Sequence, residues 1–401
     1  MSPRTPERQS SIASFIHGWM LRCGLASHDR AARVAPIIAT FACRCSPDER
    51  DPDVTDRGYE VAAMFLALFF AFDDWAVQHQ ADRDTLDQIR RLLAAQDEAP
   101  AAGCHPWLLA VSKLLDALSG ADRRDVQGFA AALADHLYAV EEEALARIST
   151  DGATGAPAHE LCDRIDEFLR LRPLLIATEP NIRIWQTVLG RWPAPSFVQT
   201  VASLAPGVRR AHPHAGLDRA LDLARLAHAR APAGLVRRSS ALSELEALTV
   251  VLTYLANDLG SVDRDRSAGG PDQEPNLVLH LERYFLAGAQ ARVSSSPWDE
   301  EARSLPAAEQ AEAITVDMYN AGIARLQTLV RLTLEHDVTA RPYLSLLIRI
   351  VDGNLQSTRD HAIAQAGTAS DSEPATAGQE LQPRFSSTAT LMRLRFVDDV
   401  A

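Results

Sequence analysis

Residues 61–78 read VAAMFLALFFAFDDWAVQ, an unbroken apolar run from Val61 to Phe72 that ends on two aspartates, Asp73 and Asp74. A helix that is apolar on every side has no solvent face, so this segment belongs inside a larger helical protein. It falls well short of the roughly 20 residues that a bilayer span needs. Carboxylates at its end are either solvated where the helix surfaces or held at the rim of an interior cavity. In the second case they must be paired or bind a cation, because desolvating them alone is expensive.

Working outward, apolar residues recur at three- and four-residue intervals over 105–118, 124–148, 158–177, 239–260, 275–290, 306–336 and 341–365, which is the period of amphipathic helices. Alternating strand patterns are almost missing. Pro, Gly and Ser clusters near 46–57, 96–106, 149–158, 203–216, 266–275 and 295–306 punctuate the helices and read as loops. The expectation is one all-α domain over residues 15–365, of about ten or more helices, with room for an insertion at 187–238. Residues 1–14 and 366–401 read as tails, the second a candidate cap over an active site.

The chain has 401 residues, and 47% apolar with 23% charged is the balance of a globular protein able to bury a sizeable core. A formal net charge of -13 disfavours nucleic acid and anionic membrane surfaces as partners, so an anionic ligand needs local cations. Five scattered cysteines without histidines at zinc spacing suit a reducing compartment better than a disulfide framework. The polar start MSPRTPERQSS has no apolar segment behind its charges, and the expectation is that it is not a secretory signal. The expected location is the cytoplasm.

A second stretch, NDLGSVDRD at 257–265, sets Asn257, Ser261 and Asp265 four residues apart. At about 100° per residue such positions drift by only ~40° per step and share one helical face. An amide oxygen, a hydroxyl and a carboxylate are hard donors suited to Mg²⁺, which commonly completes its octahedron with water and substrate phosphate oxygens. The same residues also fit a polar helix face or a C-terminal cap before Gly269 and Gly270.

Taken together, FDDW at 72–75 and NDLGSVDRD resemble the two metal motifs of class I terpene synthases, in particular the bacterial terpene cyclases. CRCSPDERDP at 43–52, IDEFLRLRP at 165–173, EPNLVLHL at 274–281 and GNLQST at 353–358 are similar to further family segments in the same order. The resemblance implies a single-domain helical bundle around a central apolar active-site cavity. It implies that Asp73 bridges metal ions, that Asp74 orients arginines, and that Asn257, Ser261 and Asp265 hold one of three Mg²⁺ ions. Arg172 matches the family's diphosphate-sensing arginine and Arg264 its basic residue before the closing acid. Phe69 and Phe70, one turn before Asp73, would face the cavity.

The implied activity is Mg²⁺-dependent ionisation and cyclisation of a linear prenyl diphosphate, farnesyl diphosphate first, making the chain a lyase that forms sesquiterpenes. Alternatives are a monoterpene or diterpene synthase acting on geranyl or geranylgeranyl diphosphate, or a non-catalytic cyclase-like binding protein. A homodimer fits the same reading. The chain departs from the family in four places. WAVQ at 75–78 lacks a further acid, Asp265 replaces Glu, Pro173 replaces a second arginine, and RDHAIAQ at 359–365 replaces an Arg-Tyr pair. For that pair, Arg359, Arg384 with Phe385, and Arg395 with Phe396 are the substitutes. Trp75 and Trp185 read as core or rim residues and the HPH at 212–214 as surface.

Overall fold

The computed structural model describes residues 5–47, 53–79, 83–95, 103–149, 158–191, 193–230, 243–267, 276–288 and 305–370. All regular structure among them is helical. In chain order the helices are α1 (Thr5–Cys23), α2 (His28–Arg44), α3 (Asp56–His79), α4 (Arg83–Ala95), α5 (Pro106–Ala117), α6 (Arg123–Ser149) and α7 (Ala158–Leu175). There follow α8 (Thr178–Leu189), α9 (Pro195–Ala211), α10 (Ala215–Arg230), α11 (Glu244–Ser267), α12 (Leu277–Gly288), α13 (Ala307–His336) and α14 (Arg341–Ser370). Among the described residues no helix is long and apolar enough to cross a membrane. All five cysteines are free thiols, as their spacing suggests.

Two helices carry the core. In α3 nearly every side chain from Tyr59 to Phe72 is buried, and it packs on α1, α2, α5, α6 and α8. In α11 an uninterrupted buried stretch runs from Glu244 to Ala256, because α7, α8, α9, α10, α12, α13 and α14 all pack around it. The two are joined by α8, which touches both. Phe72, fully buried, stacks on Trp107 of α5 with ring centroids 4.2 Å apart, and so fixes α3 immediately before the two aspartates. Trp185 lies edge-on to Tyr59 and is buried, which makes it a core residue.

Three expectations need correction. Residues 5–14, read as part of an N-terminal tail, form the first turns of α1, since Ile12, Ile16, Trp19, Met20 and Cys23 make one buried stripe; the polar residues between them hide that stripe from a local reading. The loop expected at 203–216 is helical to Ala211, with Pro206 inside α9. Burial of Phe197, Val201, Ala205 and Val208 outweighs the hydrogen bond that Pro206 cannot donate. The HPH is more than surface: His214 caps α10 through the Leu217 N–H, and the His212 carbonyl accepts from Arg325 at 2.8 Å. Residues 187–238, which left room for an insertion, include α9 packed on α13 and α10 packed on α7. Of the C-terminal tail read at 366–401, residues 366–370 extend α14, and the rest, with Arg384, Phe385, Arg395 and Phe396, lies outside the described residues.

The N-terminus of α11 is anchored by charge. Ser243 and Glu246 form a reciprocal capping box, with Glu246 Oε2 accepting from the Ser243 N–H at 2.9 Å and Ser243 Oγ accepting from the Glu246 N–H at 3.2 Å. Glu246 also accepts from buried Arg183 of α8 at 2.8 Å and from the Tyr343 hydroxyl of α14 at 2.7 Å. Arg183 in turn meets Glu179, whose other oxygen lies 3.0 Å from His228 Nε2 on α10. Four helices are thereby fixed in register by one buried ionic group. At the other end α14 approaches α2 so closely that a Cβ at Gly353 would lie 2.5 Å from the Arg44 carbonyl oxygen, which leaves room only for glycine.

Burial pushes the Glu179 carboxyl up, but His228 and Arg183 outweigh it and hold the carboxyl below its ordinary 4.5. A depressed acid stabilises the fold above its unfolded value and loses that contribution as pH falls through the folded one. Glu179→Gln therefore costs roughly 1–3 kcal/mol at pH 7, by taking from buried Arg183 one of its two carboxylate partners. The gap between wild type and variant in urea unfolding narrows below about pH 4.5, and a gap independent of pH excludes this role.

Candidate functional site

The site is built on the second half of α11. Each of Asn257, Ser261 and Asp265 follows the last by just over one turn, as the spacing requires. Ser261 Oγ donates to Asp265 Oδ2 at 2.5 Å, so these two oxygens meet. Asn257, one turn earlier, is half-buried. The Asp265 carboxylate is almost fully buried, and its Oδ1 accepts from Arg264 Nε at 2.9 Å. Arg264 itself is exposed. Both Asp265 oxygens are thus engaged within the protein.

Arg172 sits in the last turn of α7. Pro173 follows it, and the chain breaks at Ala177, whose φ of 52° is left-handed, before α8 begins. Alanine there carries a backbone cost that the surrounding packing must hold. Arg172 is aimed at Asp258, which is completely buried: Nε and Nη2 donate to Asp258 Oδ1 at 3.0 and 2.5 Å. Asp258 Oδ2 accepts from the Leu277 N–H at 3.0 Å, where α12 starts. Burial pushes the Asp258 carboxyl up to about 6, against the pull of Arg172 and the Leu277 N–H. One turn before it, the buried Tyr254 hydroxyl has no hydrogen-bond partner among the described residues. Burial and the neighbouring Asp258 both raise its pKa.

Asp73 and Asp74 occupy the last third of α3, and their side chains lie outside the described residues. Phe69 and Phe70, both partly buried, meet in an edge-to-face pair at 5.5 Å; Phe69 also packs on the His136 ring and Phe70 on Phe41. Their outer neighbours are therefore aromatic as well. On α14, Arg359 lies near Tyr319 and Asp352, and His361 near Arg264. Among the described residues no three His, Cys, Asp or Glu side chains cluster as a metal site. The Asn-Ser-Asp set supplies hard oxygen donors of another kind. The convergence of the Ser261 and Asp265 oxygens fits a small oxygen-loving cation such as Mg²⁺.

The sequence reading missed Asp258 and Asn276. Asp258 hides beside Asn257, and its position on the inner face of a helix that is buried along its first half was the available signal. No protein-family model and no curated protein matches the chain. Solved structures do. Linalool/nerolidol synthase from Streptomyces clavuligerus, in complex with 2-fluorogeranyl diphosphate, superposes with a TM-score of 0.55 at 16% identity, covering 89% of this chain and 99% of that one. The T181N variant of cucumene synthase gives 0.55 at 18% identity, with 89% and 96% covered. SVS_A2, from ancestral sequence reconstruction, gives 0.53 at 17% identity, with 89% and 86% covered. The chain has the all-α class I terpene synthase fold.

Asp258→Ala leaves the Arg172 guanidinium without its buried counter-charge and costs about 3–5 kcal/mol in urea unfolding. Adding Arg172→Met recovers part of that loss, since a double-mutant cycle across a real pair is non-additive. Strict additivity contradicts the pairing.

Proposed function

We propose that the protein is a Mg²⁺-dependent terpene cyclase that ionises a linear prenyl diphosphate and closes the resulting carbocation into a ring, with farnesyl diphosphate as first substrate. The observation that carries this reading is the meeting of Ser261 and Asp265 oxygens on α11, one turn from Asn257, in a helical bundle of this fold. Asn257, Ser261 and Asp265 would hold one ion and Asp73 others, up to three in all. Bound Mg²⁺ supplies charge stabilisation for the departing diphosphate.

The remaining work falls to side chains of this chain. Arg172 and Arg264 neutralise diphosphate oxygens, and Asp74 orients arginines. The allylic C–O bond breaks with its electron pair leaving on diphosphate, and fixed cations aimed at that oxygen lower the barrier. Phe69 and Phe70 present aromatic faces to the cation, worth about 2 kcal/mol or more when water is excluded. Apolar walls fold the chain into a reactive conformer and keep water from quenching it early. Loss of a proton or capture of water then ends the reaction as a hydrocarbon or an alcohol. Five free thiols suit the cytoplasm, and a homodimer is compatible with the reading.

One observation favours a second reading, a non-catalytic binding protein of the same fold. Arg172 and Asp265, the charges the chemistry needs, already have protein partners. The two readings separate on turnover. Incubation with geranyl, farnesyl and geranylgeranyl diphosphates and Mg²⁺ is expected to release diphosphate and a volatile terpene from at least one. Chelation with EDTA abolishes release, and Asn257→Ala lowers it at least a hundredfold with the helical circular-dichroism spectrum unchanged. No release from any of the three diphosphates defeats the enzyme reading.

A further inference from the structure

The side chain of Asn276 is completely buried at the start of α12 and is used in two directions. Its Oδ1 accepts from the Val278 N–H at 3.0 Å, the bond of a helix N-cap. Its Nδ2 faces three oxygens of α11: the Asp258 carbonyl at 2.8 Å, Asp265 Oδ2 at 2.9 Å and Ser261 Oγ at 3.1 Å. The cap settles which end of the amide is which, since the oxygen must meet Val278. The nitrogen then has two hydrogens for three acceptors, two of them atoms assigned above to the metal.

An amide so placed cannot itself ligate a cation. Its oxygen is turned to the Val278 N–H, away from the α11 oxygens that its nitrogen faces, and the nitrogen has donors alone. What it can do is hold its neighbours. A donor lying against both Ser261 Oγ and Asp265 Oδ2 fixes their rotamers and leaves their remaining lone pairs directed elsewhere. It also keeps Asp265 Oδ2 compensated when the Ser261 hydroxyl turns away to serve a cation. We infer that Asn276 is a positioning residue for the metal site, a buried amide that orients Ser261 and Asp265 from behind while capping the next helix. The inference rests on the proposed metal role of those two residues. Partners of this kind, standing behind metal-binding side chains, typically change affinity by about 10–100-fold when removed.

Asn276→Ser separates the two duties, because serine caps a helix about as well as asparagine but is too short to reach α11 with an amide. The readout is Mn²⁺ binding in the presence of inorganic diphosphate, followed by loss of the free-ion electron paramagnetic resonance signal. Thermal unfolding is recorded beside it. The expected result is a half-saturating Mn²⁺ concentration raised about tenfold or more, with the helical spectrum retained. An unchanged half-saturation in the folded variant reduces Asn276 to a helix cap and overturns the inference alone. Wild-type protein that binds no Mn²⁺ with diphosphate defeats the proposed function and this inference with it. Should Asn276→Ser fail to fold, Asn276→Thr, which also offers a capping hydroxyl but no amide to donate to α11, carries the test with the same outcomes.

Discussion

Much of the candidate site depends on one buried carboxylate. Asp258 has no solvent contact, yet it holds the Arg172 guanidinium of α7 with one oxygen and the first N–H of α12 with the other. A charge in that place is tolerable only because both oxygens are satisfied and a cation lies against it. Three helices are tied to one point, and the placement of α7 and α12 against α11 is set by the same interaction. Asn276, next to Leu277, extends this node to Ser261 and Asp265.

The helix that carries the node is anchored at its other end too. The capping box of Ser243 and Glu246, with Arg183, Glu179, His228 and Tyr343 around it, ties α11 to α8, α10 and α14. Between these polar ends lies a stretch, Leu248 to Ala256, that is apolar apart from two threonines and Tyr254. The threonine hydroxyls fold back on carbonyls of their own helix. Hydrophobic burial sets the depth of α11 in the bundle without choosing its rotation, while directional ionic pairs at both ends can fix rotation and register. A site that needs three side chains aimed at one point requires that kind of scaffold.

Much of the architecture could be read from the chain. The apolar run before Asp73 reads as a buried helix and is one, and the spacing of Asn257, Ser261 and Asp265 places them on one face, as found. The periodic segments from 105 onward recur as helices with ends shifted by a few residues. What escaped was decided by distant partners. Helices α2 and α9 contain Pro36 and Pro206, local breakers overruled by burial. Arg172 matches an arginine motif in the sequence, but the carboxylate it meets in the fold lies 86 positions away. Asn276 is one residue in a loop-to-helix junction until α11 is folded beside it. Periodicity along the chain reports which face is buried, not which polar group waits there.

The central claim is that α11 presents Asn257, Ser261 and Asp265 as a set to a cation shared with diphosphate. A crystal structure of the protein grown with Mg²⁺ and inorganic diphosphate tests it most directly. The account predicts one Mg²⁺ bonded to oxygens of all three residues and to diphosphate, with the Ser261–Asp265 hydrogen bond opened. Diphosphate bound elsewhere, or Mg²⁺ absent from that face while those three side chains keep their present hydrogen bonds, would contradict it.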